Sequence, residues 1–306
     1  QGPGFGRALA GGTTTALLLP GSGDLIEGRG VTVKMVPGRT PQDIMMPNAP
    51  YSLKMACGEN PKGGSGFPRT RMGNIAGTRA AFIRAQQYRA AWDAWLANPT
   101  GDPPRRDLGM ETLAEALRGN MMVQVHCYRA DDMTSILQLA QEFDLQIRSF
   151  HHAVEAYKIR DMLAEQDVSA SMWADRWGFK MEAFDGIDQN IPLVSEAGAR
   201  AILHSDSDMG IQRLNQNAAK AMYAGRQSGI EVTRNEALRW ITANPAWALG
   251  IDDRTGTLEV GKNADVVLWS GDPFSVYSHA DRVWIDGVLR YDRTDPVLQP
   301  RSDFEV

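Results

Sequence analysis

The sequence predicts an α/β protein in which parallel strands are joined by crossover helices. Short strand-like runs alternate with longer segments of helical spacing, the order expected when each strand is followed by a helix. Several of these runs are continuously apolar, which is typical of a parallel sheet covered on both faces. A (β/α)8 barrel and an open doubly wound sheet both fit this pattern. No G-x-G-x-x-G motif follows the first strand, which weighs against a dinucleotide-binding sheet.

The individual elements follow from apolar runs and helical periodicity. Strands are predicted at residues 14–19, 31–35, 52–57, 123–127, 146–151, 168–173 and 199–204. Helices are predicted at residues 132–142, 156–165, 215–226 and 235–243, where apolar side chains recur on one face.

Three segments depart from the strand–helix alternation. Residues 59–120 are predicted to be a loop–helix insertion, with a long helix at 79–98. Its aromatic stripe is typical of core or of an oligomer contact. Residues 251–293 contain short runs (TGTLEV, ADVVLW, RVWIDGVLRY) that predict small antiparallel strands, and 294–306 form a polar tail. The pattern therefore divides the chain into an α/β domain at 1–250 and a small antiparallel portion at 251–293.

Composition excludes several classes of protein. With 306 residues, 43% hydrophobic and 23% charged, the chain has enough apolar surface to fold. The net charge is −5 and no basic cluster stands out, which argues against nucleic acid as a partner. We expect neither a membrane span nor a signal peptide, and the sequence leaves the cellular compartment open. Cys57 and Cys127 are expected to be buried, unreactive free thiols.

Histidines carry the first chemical signal. Four of the five histidines, namely His126, His151, His152 and His204, lie at or near the ends of predicted parallel strands. The carboxyl ends of such strands converge on one face of a barrel, and imidazole is the commonest metal ligand in proteins. A single strand-end histidine is most often structural, but the repetition favours a metal or catalytic site.

An acidic residue and a lysine complete the candidate set. Asp206 ends a strand and is suited to binding metal, acting as general base, or capping the next helix, a role that Asp208 fits better. Lys54 lies within an apolar strand, where a charge needs a partner. It either extends toward water or is carboxylated by carbon dioxide to become an anionic metal ligand. Glu59 is the alternative anionic residue.

The C-terminal motifs show a family resemblance. NPAWALG at 244–250, GTLEVGKNADVVLW at 256–269, GDPF at 271–274 and VWIDG at 283–287 resemble the amidohydrolase superfamily, particularly imidazolonepropionase-like members. VQVHCYRADD at 123–132, RSFHHAVEAYK at 148–158 and LHSD at 203–206 are similar to that superfamily's metal-binding strands. The resemblance implies a TIM-like (β/α)8 barrel, with His126, His152, Asp206 and carboxylated Lys54 as metal ligands.

Two parts of the family pattern are missing. The family's first strand ends in His-x-His, and its N-terminal segment completes the β-sandwich, but neither occurs in this sequence. We therefore expect a barrel that lacks its first strand, numbered from inside a longer protein. The site of this chain alone is then expected to be incomplete, which leaves open whether the chain is active by itself. The alternative is a non-catalytic barrel remnant that acts through association.

The resemblance also implies a mechanism and partners. One or two divalent ions, expected to be zinc, would activate water to cleave a C–N bond in an amide, cyclic amide or peptide. Asp206 would transfer protons, and His151, His204 and Glu59 would support the ligands. Tyr128 and Arg129 are predicted to bind substrate, with Arg129 holding a carboxylate through two hydrogen bonds. We expect a small-molecule or peptide substrate and self-association into a homo-oligomer.

Overall fold

The fold is taken from a computed structural model that describes residues 3–63, 66–176 and 178–299. Ten strands are present: β1 Thr15–Leu18, β2 Ile26–Lys34, β3 Ser52–Ala56, β4 Met122–Cys127, β5 Ile147–His152, β6 Ser169–Met172, β7 Ala201–Leu203, β8 Val266–Trp269, β9 Ala280–Ile285 and β10 Val288–Asp292. The α-helices are α1 Pro3–Ala10, α2 Pro41–Ile44, α3 Arg71–Ala97, α4 Leu108–Leu117, α5 Ala130–Phe143, α6 Arg160–Glu165, α7 Asn190–Glu196, α8 Leu214–Gln227, α9 Arg234–Arg239 and α10 Ala243–Ala248.

The strands form two sheets. A seven-stranded sheet has the order β1-β2-β3-β4-β5-β6-β7, and a separate three-stranded sheet has the order β10-β9-β8. Strands β3 to β7 run parallel to one another, whereas the small sheet is antiparallel throughout. The prediction of an α/β chain with crossover helices is confirmed for these five strands, and so is the antiparallel C-terminal portion.

The two N-terminal strands correct the prediction. They were expected to be parallel, but β1 and β2 form an antiparallel hairpin, and β2 also pairs antiparallel with β3. The connection between β1 and β2 is too short to hold a crossover helix, and a parallel pair requires one. Composition alone does not show whether two neighbouring strands are parallel or antiparallel, because both arrangements use the same residue types.

Other boundaries differ in ways that have local causes. The long helix α3 begins at Arg71, eight residues before the predicted start, because the Thr70 side chain accepts a hydrogen bond from the Gly73 amide and caps it. The predicted helix at 156–165 is a short 3-10 turn followed by α6, and 235–243 is divided between α9 and α10. The run TGTLEV is not a strand.

Two apolar cores support the sheets. The larger core packs the parallel strands against α3, α4, α5, α7 and α8. A second core joins residues of β2, including Val33, to Val283 and Ile285 of the small sheet. Beside it, buried Lys34 contacts the buried carboxylate of Asp265 at 2.7 Å. The N-terminal hairpin is therefore held to the C-terminal sheet by both packing and a buried ion pair. No described helix has the length and apolar character to cross a membrane.

The cysteines also correct the prediction. Cys57 and Cys127 are buried, but they form a disulfide with a Cα–Cα distance of 5.2 Å. Each cysteine lies at the carboxyl end of its strand, and β3 and β4 pair so that Ala56 is opposite His126. The next residue on each strand is then a cysteine, which places the two thiols within bonding distance across neighbouring strands. The expectation of two free thiols is wrong.

Candidate active site

The candidate site lies at the carboxyl edge of the parallel strands. His126 is near the end of β4, His151 and His152 end β5, and His204 and Asp206 follow β7. Lys54 lies within β3, whose pairing places it beside Gln124 of β4. Because the strands are parallel, residues far apart in sequence meet at this edge.

Left-handed backbone conformations turn two of the strand ends toward the site. His152 and Ala153 have φ values of 70° and 34°, and Asp206 has a φ of 52°. Non-glycine residues seldom adopt positive φ, and such strain persists only where surrounding contacts hold it. In a regular strand, adjacent residues point to opposite faces, but this turn lets His151 and His152 both reach the histidine cluster.

The four strand-end histidines form a single cluster. The ring centroids of His126 and His152 are 4.6 Å apart, and those of His152 and His204 are 5.1 Å apart. His151 lies 5.8 Å from His204 and its Nε2 is 2.7 Å from the side-chain oxygen of Gln124. The structure thus brings together the four histidines that the sequence singled out. Their roles as ligands or supporting residues stay predictions.

Asp206 and Lys54 contribute opposite charges beside this cluster. The Asp206 carboxylate is 3.9 Å from Nδ1 of His152. Burial raises the pKa of Asp206, and the positive charge of Lys54 opposes that rise. Burial likewise lowers the pKa of Lys54, whose charge interacts with Asp206 and Glu27. Lys54 is 4% exposed, so it does not extend to water as one alternative held.

The imidazoles are buried as neutral rings with unused nitrogens. Burial lowers the pKa of His126 and of His204 to about 3, and it lowers the pKa of His152 well below its usual value. Within the described residues, both ring nitrogens of His126, Nδ1 of His152 and Nε2 of His204 have no hydrogen-bond partner. Buried polar atoms are rarely left unpaired, so these nitrogens indicate a binding site.

Two predicted site residues are engaged elsewhere. Arg129 donates from Nε and Nη2 to the two carboxylate oxygens of Asp131, at 2.9 and 3.2 Å. Glu59 accepts hydrogen bonds from Lys62 and Arg71 at the surface. The guanidinium of Arg129 therefore has its two-pronged partner within its own chain, and Glu59 does not contact the histidines through any described interaction.

The site also has an aromatic wall and two cations, of which sequence reasoning named Tyr128 but missed Trp173, Lys180 and Arg176. Trp173 stacks on His152 and His204, with centroid distances of 4.7 and 5.3 Å, and Tyr128 lies 4.9 Å from His126. Lys180 places its ammonium 3.8 Å from the Tyr128 ring centroid, and Arg176 lies 5.5 Å above Trp173. Both cations come from the segment after β6. The only available signal was the position of Trp173 directly after a strand.

The donor atoms of these residues suit a divalent metal, although they are not arranged as a complete coordination site. In the described ranges, no three His, Cys, Asp or Glu side chains are grouped closely enough to hold an ion. However, metal binding requires neutral imidazoles, and burial keeps these rings neutral. The unpartnered nitrogens of His126 and His152 beside the Asp206 carboxylate supply nitrogen and oxygen donors of the kind that zinc prefers.

The buried histidines predict a loss of stability in mild acid for the metal-free protein. A folded-state pKa below the unfolded value of about 6.5 means that the unfolded chain binds more protons as the pH falls through this window. We expect the free energy of unfolding to decrease between about pH 7.5 and 5. Urea titrations with a chelator present measure this change.

A comparison of variants isolates the histidine contribution, because the raised pKa values of Asp132 and Asp206 act in the opposite direction. His126→Gln is expected to show a smaller acid-side decrease than the natural chain. His279→Gln, which changes the half-buried histidine beside Asp281 outside the cluster, is the matched control and is expected to retain the full decrease. Identical pH profiles for all three proteins would contradict the prediction.

Comparisons with known proteins identify relatives of this chain. Residues 72–291 match the sequence profile of the amidohydrolase family. The chain belongs to the amidohydrolase family. This confirms the superfamily resemblance of the strand-end and C-terminal motifs.

Individual amidohydrolases extend the comparison. The chain is 32% identical to amidohydrolase tasK of Hapsidospora irregularis over 314 residues, covering 94% of this chain and 31% of that protein. An imidazolonepropionase of Mesorhizobium japonicum is 34% identical over 79 residues, or 26% of this chain and 19% of that protein. The crystal structure of an amidohydrolase from Thermotoga maritima MSB8 has a TM-score of 0.87 and 32% identity, covering 95% of this chain and 75% of that one. The chain thus spans about a third or less of these two curated relatives.

Proposed function

We propose that this chain carries the active site of a metal-dependent amidohydrolase, which cleaves a C–N bond in an amide, cyclic amide or peptide with water. The observation that carries the proposal is the set of buried, unpartnered imidazole nitrogens beside the Asp206 carboxylate. Family membership supports the same reaction class. A structural histidine cluster would be expected to satisfy its ring nitrogens internally.

The proposed ligands are His126, His152 and Asp206, with Lys54 added if it is carboxylated. One or two ions, which we propose to be zinc, would polarise the scissile carbonyl and acidify a water molecule. The burial of Lys54 next to Asp206 supports its inclusion, since an uncarboxylated ammonium there has little contact with water. Glu59 is a weaker candidate because Lys62 and Arg71 occupy its carboxylate.

The side chains around these ligands would perform the remaining steps. Asp206, whose pKa burial raises, would accept a proton from the attacking water and pass it to the leaving nitrogen. Gln124 would fix the orientation of His151 through their 2.7 Å contact. Tyr128 and Trp173 would form a wall against which a substrate packs, since both rings contact the histidines. They would also limit the access of bulk water.

The finer architecture belongs to the same proposal. We propose that the five parallel strands are part of a (β/α)8 barrel, with residues 1–250 as the barrel domain and 251–293 as a β-sandwich portion. The segment 59–120, which includes α3 and α4, would be an insertion between β3 and β4, and 294–306 a tail. The similarity to the Thermotoga maritima amidohydrolase over most of that chain supports this assignment.

Metal analysis and hydrolysis together test the function. After incubation with zinc and dialysis, the chain is expected to retain zinc by elemental analysis. It is then assayed on a panel of N-acyl amino acids, dipeptides and cyclic amides. His126→Gln and His152→Gln are each expected to weaken zinc binding by about tenfold or more, whereas His279→Gln is expected to bind zinc like the natural chain. Equal zinc retention by all three variants, or none by the natural chain, would contradict the metal site.

Association is the second candidate role, and one observation favours it. Tyr88, Trp92 and Trp95 of α3 are only partly buried and contact one another at the surface, with centroid distances of 6.2 and 5.9 Å. Only Phe82, at the start of this stripe, is fully buried in the core. We propose that the chain self-associates, which light scattering coupled to size exclusion measures. A chain that oligomerises but neither holds zinc nor hydrolyses any of the panel fits the non-catalytic alternative.

A further inference from the structure

A pocket beside the histidine cluster has an arginine in its lining. The residues that line it include His152, Trp173, Arg176 and Ile187. Arg176 is exposed, and its guanidinium stands 5.5 Å above the Trp173 ring. The enclosed part of this pocket is small, so a terminal group of a substrate, rather than its whole body, would enter it beside a proposed metal ligand and a guanidinium.

Arg176 differs from the other cations near the site because its guanidinium forms no ion pair with a described residue. Among the described residues, no carboxylate lies within ion-pair distance of Arg176. Arg129 is held by Asp131, and Lys180 by Glu182 and Asn60. Its neighbour Asp175, which also lines the pocket, is bound by Lys220 at 2.6 Å. A guanidinium presents a planar fork of donors that matches a carboxylate.

The position of Arg176 relative to the reacting groups also favours a substrate contact. The positive charge of Arg176 lowers the pKa of both His204 and Asp206, so it acts on the proposed proton carrier. Trp173 contacts all three groups, because it stacks on His152 and His204 and its ring centroid is 5.5 Å from the Arg176 guanidinium. A substrate group that touches Trp173 would therefore have both the imidazoles and the guanidinium nearby.

From this arrangement we propose that Arg176 determines specificity by binding a carboxylate on the substrate. The substrate is then an amide or peptide with a free carboxylate and an apolar or planar body that packs on Trp173 and Ile187. Asp188 on the pocket rim disfavours a second negative charge there. This inference rests on the proposed function for the reaction itself, but it replaces Arg129 with Arg176 as the carboxylate-binding residue.

Binding of a matched pair of ligands tests the assignment without turnover. Phenylacetate and phenylacetamide have the same ring and differ in charge, so ligand-observed NMR titration reports the preference for a carboxylate. The natural chain is expected to bind phenylacetate about tenfold more tightly than phenylacetamide, a preference reduced by added salt. Arg176→Gln is expected to abolish the preference, Arg176→Lys to keep part of it. Lys180→Met is expected to reduce it less than Arg176→Gln, because Glu182 and Asn60 already hold Lys180.

The controls separate this inference from the proposed function. Arg79→Gln removes an exposed arginine that pairs with Glu142 outside the pocket, and it is expected to leave the preference unchanged. A preference that survives Arg176→Gln, equal binding of both ligands, or no binding of either at about 20 mM would overturn the assignment. None of these binding measurements depends on hydrolysis. A failure to find the carboxylate preference would therefore not affect the zinc and hydrolysis tests, and a failure of those tests would not affect the binding result.

Discussion

Asp206→Asn is expected to lower the rate of amide hydrolysis by about a thousandfold, within the range measured for general acid–base residues. The amide side chain has the same shape and keeps an oxygen donor for a metal, but it does not accept a proton at neutral pH. Asparagine also tolerates the left-handed conformation that Asp206 adopts, with its φ of 52°. The loss is therefore expected in kcat of the zinc-saturated variant, with a free energy of unfolding close to that of the natural chain.

The matched control for this variant lies two residues along the chain. Asp208 is exposed and pairs only loosely with Arg7, at 3.8 Å, so Asp208→Asn is expected to retain nearly full activity. The assay uses whichever member of the amide panel the zinc-loaded natural chain hydrolyses fastest. Full activity in Asp206→Asn, or an equal loss in both variants, would refute the assignment of proton transfer to Asp206.

Loss of the Cys57–Cys127 disulfide is expected to reduce the free energy of unfolding by about 4 kcal/mol. The two cysteines are 70 residues apart, and chain-entropy arguments give a cost of this size for opening a loop of that length. The bond joins β3, which carries Lys54, to β4, which carries His126, so it also ties two candidate ligands together. Urea denaturation with and without dithiothreitol measures the difference.

A variant without the cysteines separates the stability that comes from the covalent bond from the stability that comes from packing of the two sulfur atoms. The double variant Cys57→Ala, Cys127→Ala is expected to be less stable than the oxidised natural chain and insensitive to dithiothreitol. The natural chain is expected to lose stability when it is reduced. Titration of the urea-unfolded, unreduced chain with a thiol reagent is expected to find no free thiol, and two reactive thiols would show that the bond is absent.

The amino-acid sequence determined the strands that carry the site and the residue types at their ends. Continuous apolar runs such as the one before His204 can be read directly from the sequence. Parallel strands then place their carboxyl ends on one face. The four strand-end histidines and Asp206 were therefore singled out before any coordinates, and the family resemblance selected His126, His152 and Asp206 as ligands, which stays a prediction. The family followed from the C-terminal motifs, because those motifs are contiguous and long.

The tertiary structure decided what depends on contacts between distant segments. Whether β1 and β2 pair as a hairpin or through a crossover depends on the relative direction of the two strands, which composition does not encode. The Cys57–Cys127 bond depends on the register of β3 against β4. The difference between Arg129 and Arg176 depends on which carboxylates their side chains reach. In each case residue identity sets what a side chain is able to bind, and only folding sets which partner lies within reach.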